Sequence, residues 1–240
     1  MTGAGQGIGR ALALGMADEG AAVIIAELNA NNAREVEREI QRREGEALAV
    51  QTDVSDEASV TAMMARCLER FGKVDVLVNN AGIFPNAPVE AMDESEWDRV
   101  IGTNLVGTFL CSRAVVPTLI AQRSGRIISM ASGRALEGAK NGSHYAASKG
   151  GILGFTRALS LELAPFGITV NALCPGITDT AQPRANLPPG ARLEDVGANI
   201  PLGRIGEVED LVGPTLFLAS DAGRFVTGQT VVVNGGAIRW

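Results

Sequence analysis

The amino-acid sequence predicts an α/β protein with a doubly wound parallel sheet and helices on both of its faces. Apolar, strand-like runs alternate with stretches of helical pattern along the chain, and this alternation is typical of βαβ units. The predicted strands are 21–26, 47–50, 74–78, 126–130, 168–173 and 230–233. No block of like charges and no linker rich in proline or serine divides the chain, so we expect one domain over residues 1–240.

The composition argues against several classes of partner. A formal net charge of −6 does not favour nucleic acid. Uninterrupted apolar runs are far shorter than the ~20 residues that a membrane helix needs. The amino terminus lacks the basic and apolar regions of a signal peptide, so we expect a cytoplasmic protein without a membrane segment. Three scattered cysteines and a single histidine, His144, argue against a metal site.

A glycine-rich turn, Thr2-Gly-Ala-Gly-Gln-Gly-Ile-Gly9, leads directly into a helical stretch. Glycines let the backbone approach a phosphate, and a helix N-terminus offers free N–H donors. The spacing is Gly-x-x-x-Gly-x-Gly rather than the Gly-x-Gly-x-x-Gly fingerprint. It suits a dinucleotide-binding turn, although an ordinary loop is also possible in a chain with 29 glycines.

Glu27 closes the apolar run 21–26. In a βαβ unit, an acid at this place accepts hydrogen bonds from the adenosine ribose and repels a 2′-phosphate. The alternative is an ordinary solvated carboxylate at the end of a strand. Farther along, the strand 74–78 runs into Asn79-Asn80-Ala81-Gly82, where side-chain amides can bridge neighbouring strands. We therefore interpret Asn79 as structural.

Ser132, Tyr145 and Lys149 form the motif that points to chemistry. Tyr145 and Lys149 are four residues apart in a helical stretch, which places them on one helix face about 5–6 Å apart at Cβ. A nearby ammonium lowers the pKa of a phenol, and a phenol tuned towards neutrality can exchange a proton with an alcohol or carbonyl oxygen. Ser132, at the end of strand 126–130, can hold the same oxygen. The pattern Tyr-x-x-x-Lys is common by chance, so the other motifs decide whether Tyr145 and Lys149 are functional.

Taken together, these motifs resemble the short-chain dehydrogenase/reductase family, which has a Rossmann-like fold. The resemblance extends from Thr2 to the ending at 231–236 and includes Asp53, Asn104 and the Pro175-Gly176 turn. Each motif is weak by itself, but all of them occur in the family's order and spacing.

The resemblance implies a role for each matching position. Tyr145 would be the catalytic acid/base, and Lys149 would lower its pKa and bind the nicotinamide ribose. Ser132 would orient the substrate, and Asn104 would hold a water in the proton relay. The residues expected to bind the dinucleotide are Gly3, Gln6, Gly7, Ile8, Gly9, Glu27, Asp53, Val54, Asn80, Ala81, Tyr145, Lys149, Pro175, Gly176, Ile177 and Thr180.

The substrate is expected to meet Ser132, Tyr145 and His144, because His144 directly precedes Tyr145. A packing or capping role for His144 fits the sequence equally well. The segment 177–200 has no clean periodicity and is predicted to be a loop with a short helix. Long loops of this kind often act as lids.

The function that follows is an NAD-dependent alcohol dehydrogenase or ketone reductase, with NAD as cofactor. The alternative enzyme is a 3-oxoacyl-thioester reductase, a type that generally uses NADPH and docks an acidic carrier protein on basic residues. Arg123 fits such a basic patch, whereas Phe166 stands where a second basic residue is often found, and Glu27 disfavours NADPH. An alternative from another class is a non-catalytic dinucleotide-binding regulator.

Two helical stretches, 103–122 and 144–164, are rich in small and apolar residues. In the family these helices pair with their counterparts across a two-fold axis. We therefore expect a homo-oligomer, a tetramer or a dimer. The alternative is that both helices pack only on their own sheet.

One departure concerns the first strand of the sheet. The family's glycine turn follows a buried central strand, yet only Met1 and Thr2 precede Gly3. Strands buried on both faces are apolar runs, so we expect a natural upstream segment rich in Val, Ile and Leu. Thr2 and Gly3 should lie at the carboxyl end of a position between the strands 21–26 and 74–79.

Overall fold

A computed structural model of the chain describes residues 1–185, 190 and 192–239. All strand pairs in this part of the chain are parallel. Each predicted strand is confirmed to within two residues at either end. The strands are β1 (Val23–Glu27), β2 (Ala47–Gln51), β3 (Val76–Asn79), β4 (Gly125–Met130), β5 (Ile168–Pro175) and β6 (Thr230–Val233).

Helices occupy most of the connections between strands, and their ends follow local sequence signals. Asn29 caps α2 by accepting the amides of Asn31 and Asn32, and Gly72 ends α3 in the left-handed conformation. The helices are α1 (Gly7–Asp18), α2 (Ala30–Arg42), α3 (Glu57–Phe71), α4 (Glu94–Ile101), α5 (Gly107–Gln122), α6 (Arg134–Glu137), α7 (Ser143–Leu163), α8 (Ala181–Ala185), α9 (Leu193–Gly197) and α10 (Val212–Ala219). Short 3₁₀ turns lie at Val89–Ala91, Ala164–Phe166, Val208–Leu211 and Asp221–Gly223.

Alternate residues of the central strands face two different cores, which confirms the doubly wound architecture. On β4, Ile128 packs in a cluster with α1, α2 and α10. Its neighbour Ile127 packs in the opposite cluster with α3, α5 and α7. Successive strand residues point to opposite faces of a sheet, and here both faces are covered by helices.

The sheet order is β2-β1 on one side and β3-β4-β5-β6 on the other, with Met1 and Thr2 between the two parts. The amide of Thr2 donates to Val78 O at 3.0 Å, and the amide of Ala26 donates to Met1 O at 3.0 Å. Thr2 therefore lies at the predicted position, at the carboxyl end of the space between β1 and β3.

Helices α4 and α5 form one continuous run, Glu94–Gln122, joined by a π-helical segment at Gly102–Val106. An 18-residue window of this run has a mean hydropathy of 1.4, so by length and composition alone the run could cross a membrane. A core helix passes the same test, and on one face of α5 Cys111, Val115 and Leu119 are buried against the sheet. No single uninterrupted apolar run in the sequence is long enough to predict such a helix.

Candidate functional site

One large cleft, of about 1120 Å³, opens at the carboxyl ends of the parallel strands. This is the edge at which open α/β sheets bind their ligands. Every residue predicted to bind the dinucleotide lines the cleft, and so does Ser132. Asn104 and His144 do not line it.

The glycine turn forms one end of the cleft. Gly3 has φ of +60°, and a Cβ on Gly9 would lie 2.0 Å from Gly3 O, so both positions require glycine. No side chain caps α1, and its first intrahelical bond runs from Arg10 N to Gln6 O. The preceding amides of the first turn therefore face the cleft free of helical partners, which fits the pyrophosphate of a dinucleotide.

Thr2 and Asn80 fix this turn to the end of β3. The Thr2 hydroxyl accepts the amides of Asn80 and Ala81, at 3.0 and 3.1 Å. The Asn80 side-chain amide donates to the carbonyls of Thr2 and Gly3, at 3.1 and 2.9 Å. Asn79 instead points into the core, where its amide donates to Ser112 and Ser129. That placement agrees with the structural interpretation of Asn79.

Glu27 is held by two backbone amides at the end of β1. One carboxylate oxygen accepts from Gly5 N and the other from Asn29 N, each at 3.1 Å. Arg10, the basic residue that directly follows the glycine turn, is engaged with Glu39 instead. Around this end the cleft is lined by Leu28, Asp53 and other uncharged or acidic side chains among the described residues. The carboxylate therefore presents negative charge to this end of the cleft.

Tyr145 lies at the opposite part of the cleft, in the first turn of α7. Its phenol is hydrogen-bonded to the Ser132 side chain. Its ring stacks on Phe84, with centroids 4.1 Å apart. A Cβ on Gly142 would lie 2.6 Å from the Phe84 ring, so the glycine before α7 makes room for this stack. The phenol is thus held on one side by a hydroxyl and on the other by an aromatic ring.

Lys149 is buried beneath Tyr145. Its ammonium donates to Met130 O at 2.6 Å and lies 5.7 Å from the centre of the Tyr145 ring. Burial lowers the pKa of Lys149 from 10.5 to about 8, because desolvation disfavours the charged amine.

The expected direction of the Tyr145 pKa shift is wrong. Burial raises the pKa of Tyr145 above 10.0, and the Ser132 hydrogen bond and the charge of Arg134 oppose that rise. Lys149 is not among the groups that lower it, because with a pKa of about 8 its amine is already neutral at the pH where the phenol ionises. Spacing on a helix placed the two groups together but did not show which partner the ammonium takes.

Asn104 lies in the π-helical segment and is fully buried. Its side-chain oxygen accepts from Ile83 N at 2.9 Å, and its amide donates to Ile83 O and to Ser148 Oγ, both at 3.0 Å. A Cβ on Gly82 would lie 3.3 Å from Asn104 Oδ1 and 3.4 Å from Lys149 Nζ. Asn104 thus lies behind Gly82, close to Lys149 and outside the cleft wall. A π segment of this kind frequently marks a functional site.

His144 is placed differently from the expectation that it meets the substrate. It is fully buried and does not line the cleft. Its ring points away from Ser132 and towards Glu96 on α4, with Nε2 3.4 Å from Glu96 Oε1. Adjacent positions on a helix point in directions about 100° apart, so a residue next to Tyr145 does not share its face.

The third wall of the cleft follows β5. Pro175, Gly176 and Ile177 line it, and Thr180 approaches the glycine turn, where a Cβ on Gly7 would lie 3.4 Å from its methyl group. The predicted lid at 177–200 includes α8 and α9, which both contribute lining residues. Residues 186–189 and 191 of that segment lie outside the described residues.

Several lining residues were missed from the sequence. They are Phe84, Arg99, Thr103, Lys140, Asn234, Ala237 and Ile238, among others. Phe84 follows the Asn-Asn-Ala-Gly turn closely, which is a signal that it lies near the site. Arg99 and Asn234 reach the cleft from distant parts of the chain, and no local pattern indicates that.

The buried ammonium of Lys149 predicts how stability depends on pH. Because its folded pKa is about 8 and its ordinary value 10.5, the unfolded chain binds more protons in this window, and stability rises with pH. Relative to Lys149→Met, we expect the free energy of unfolding of the wild type to increase by about 2 kcal/mol from pH 8 to pH 10. Denaturant titrations at several pH values measure it. Lys73→Met, which removes an exposed lysine, is the control, and parallel curves for the wild type and Lys149→Met would contradict the prediction.

Comparisons with known proteins give an independent view of the chain. The model of a family described as "Enoyl-(Acyl carrier protein) reductase" matches residues 3–237. The 3-oxoacyl-[acyl-carrier-protein] reductase FabG of Staphylococcus aureus (strain Mu50) is 40% identical over 242 residues, covering 98% of this chain and 96% of that protein.

Other relatives carry different names. The (2S)-[(R)-hydroxy(phenyl)methyl]succinyl-CoA dehydrogenase subunit BbsD of Thauera aromatica is 38% identical over 236 residues, covering 98% of this chain and 94% of that protein. The crystal structure of NAD⁺-bound xylitol dehydrogenase has a TM-score of 0.91 at 31% identity, covering 98% of this chain and 96% of that one. Since both the family match and these relatives extend over nearly the whole chain, the protein belongs to the short-chain dehydrogenase/reductase family of oxidoreductases.

Proposed function

We propose that the protein is an NAD-dependent oxidoreductase that interconverts a secondary alcohol and a ketone. The observation that supports it most directly is Tyr145, beside the Ser132 hydroxyl that lowers its pKa and near the buried Lys149, in a cleft of about 1120 Å³. A regulator that only binds a dinucleotide does not require this arrangement, and the intact set speaks against that alternative.

Each group has a separate role in the proposed reaction. A bound nicotinamide would supply or accept the hydride. Tyr145 gives its phenolic proton to the carbonyl oxygen in reduction and removes the hydroxyl proton in oxidation. Ser132 holds the same substrate oxygen, which keeps the proton path short. Lys149 sits beneath the phenol, and Asn104, buried beside it, connects this region to Ser148.

The preference for NAD rests on Glu27. Its carboxylate is fixed by Gly5 N and Asn29 N, so it cannot turn away from the cleft without breaking two hydrogen bonds. A fixed carboxylate accepts ribose hydroxyls and repels a 2′-phosphate. The NAD⁺-bound state named for xylitol dehydrogenase agrees with this preference.

A second candidate is reduction of a 3-oxoacyl thioester, because the S. aureus relative of that name is 40% identical. BbsD, named as a dehydrogenase, is nearly as similar, so similarity does not choose between substrates. The chain's own residues favour the first candidate, because Arg123 donates to Pro165 O while Phe166 packs against the core. A carrier protein would thus find a single arginine here in place of a basic pair.

We also propose that the chain works as a single domain in the cytoplasm and as a homo-oligomer assembled through α5 and α7. Phe109 on α5 is 41% exposed and Leu161 on α7 is 79% exposed. On α7, a Cβ on Gly150 or Gly154 would meet nothing within 4 Å. A second copy of this chain would cover these apolar and small residues.

Tyr145→Phe tests the acid/base role. The change removes the hydroxyl but keeps the ring and its stack on Phe84, so folding and NADH binding should survive. We expect turnover to fall by about 10²–10⁴-fold, the usual contribution of general acid–base catalysis. The assay pairs secondary alcohols with NAD⁺ and 3-oxoacyl thioesters with NADPH. Turnover of the thioesters alone would favour the second candidate, and retention of more than about a tenth of wild-type kcat would exclude the assigned role.

Glu27 should set the cofactor preference. We expect the wild type to favour NAD(H) over NADP(H) by at least about tenfold in kcat/KM, or roughly 1.4 kcal/mol. Glu27→Ala should narrow that gap. Glu27→Gln is the matched variant, because it removes the charge while keeping an oxygen for the turn. Equal use of both cofactors by the wild type would show that Glu27 does not discriminate.

Phe109→Asp tests assembly. A charge in the middle of the apolar face should lower the sedimentation coefficient of the protein, since burying an unpaired carboxylate between two copies is unfavourable. Val89→Asp, at an exposed apolar residue outside α5 and α7, should leave it unchanged. A wild type that sediments as a monomer would disprove the proposed oligomer.

A further inference from the structure

His144 is the chain's single histidine and has no solvent exposure. Both of its ring nitrogens face defined groups. Nδ1 accepts the amide of Tyr145 at 2.9 Å, and Nε2 lies 3.4 Å from Glu96 Oε1. Within the described part of the chain, neither Nε2 nor Glu96 Oε1 has a hydrogen-bond partner, and the 3.4 Å between them is a close contact whose geometry falls short of a hydrogen bond. A buried polar pair that faces only itself is expensive to keep unless it has a use.

The contact with Tyr145 fixes the tautomer of His144. A ring nitrogen that accepts a hydrogen bond carries no proton, so in the neutral imidazole the hydrogen is on Nε2. That hydrogen faces Glu96, whose carboxylate is an acceptor. The imidazole thus lies as a bridge between Glu96 on α4, which it contacts at 3.4 Å, and the backbone of Tyr145, to which it is hydrogen-bonded.

This bridge replaces a helix cap. α7 begins after Gly142, which has no side chain to cap it, and Tyr145 lies in the first turn, where amides have no intrahelical acceptor. His144 supplies that acceptor for Tyr145. The carbonyl of Tyr145 is also held, because Ser148 Oγ donates to it at 2.7 Å.

Both contacts of the Tyr145 backbone lead to the same helical run. Ser148 accepts from the Asn104 side chain, and His144 faces Glu96. Glu96 and Asn104 both belong to the run Glu94–Gln122. One rigid element therefore holds the amide and the carbonyl of Tyr145 through two separate side-chain bridges.

We propose that Glu96 and His144 are a positioning pair that sets the location of the Tyr145 phenol. The inference rests on the proposed function, in which that phenol transfers the proton. Neither residue touches the cleft surface near the phenol, so they act through the Tyr145 backbone. Misplacement of a catalytic group by about 1 Å can lower the rate about 100-fold. A variant in which only Ser148 holds the Tyr145 backbone should therefore be a poorer catalyst.

Kinetics test the pair through a split between kcat and KM. Glu96→Ala should lower kcat by about 10- to 100-fold while the KM for NADH changes little, because the glycine turn and Glu27 at the other end of the cleft are left intact. Glu96→Gln keeps an oxygen that can accept from Nε2 and should restore most of the rate. Glu94→Ala, an exposed acid on the same helix, is the control. A Glu96→Ala kcat equal to that of Glu94→Ala would overturn the proposal, and so would a failure of Glu96→Gln to recover rate.

A spectroscopic test does not depend on turnover. The chain has one tyrosine and one histidine, so selective ¹³C and ¹⁵N labelling gives NMR signals that belong to Tyr145 and His144 alone. In the wild type, the ¹⁵N shifts should show a protonated Nε2 and an accepting Nδ1. The opposite tautomer would overturn the proposal without any variant, even if Glu96→Ala does not fold.

The Tyr145 ring signal should move in Glu96→Ala and stay in place in Glu94→Ala. An unmoved signal would overturn the positioning role. If the wild type turns over none of the substrates while both NMR results hold, the proposed function fails but the pairing stands.

Discussion

The cleft depends on a short set of hydrogen bonds between Thr2 and Asn80. Among the described residues, backbone hydrogen bonds join the two parts of the sheet where Met1 and Thr2 bridge β1 and β3. The Thr2 hydroxyl and the Asn80 amide together bind four backbone groups at that junction. Glu27 is attached to one part of the sheet, and Tyr145 and Lys149 lie over the other, so this junction sets the distance between Glu27 and the Tyr145–Lys149 pair.

Burial has the same effect on both central groups of the reacting end. It raises the pKa of Tyr145 and lowers that of Lys149, so it moves each of them towards its neutral form. The Ser132 hydrogen bond and the Arg134 charge pull the Tyr145 pKa back. Desolvation therefore has the largest effect on these two pKa values, and the opposing contacts have a smaller one. Any charged ligand that enters the cleft will shift both pKa values.

The strands and the main motifs could be predicted because their signals are local. Apolar runs gave the six strands, and parallel strands necessarily bring their carboxyl ends to one edge, which gathered Glu27, Asn80 and Ser132. The direction in which a side chain points could not be predicted in the same way. His144 adjoins Tyr145 in sequence but points to Glu96, and the Lys149 ammonium takes a backbone carbonyl. Such choices depend on tertiary neighbours that a single sequence does not reveal.

The π-helical segment also limits how the chain can change in length. A π turn holds one residue more than an α turn, and at Gly102–Val106 that extra residue lets Asn104 meet Ile83 and Ser148 while α4 and α5 stay in line. Loss of one residue there would restore a regular helix and leave α5 in nearly the same orientation, because the π turn is what absorbs the extra residue. The bulge that carries Asn104 to Ile83 and Ser148 would be lost, and with it the contacts of a fully buried amide. Single-residue deletions, which most surface loops accept, should be selected against at this point in the middle of a helix.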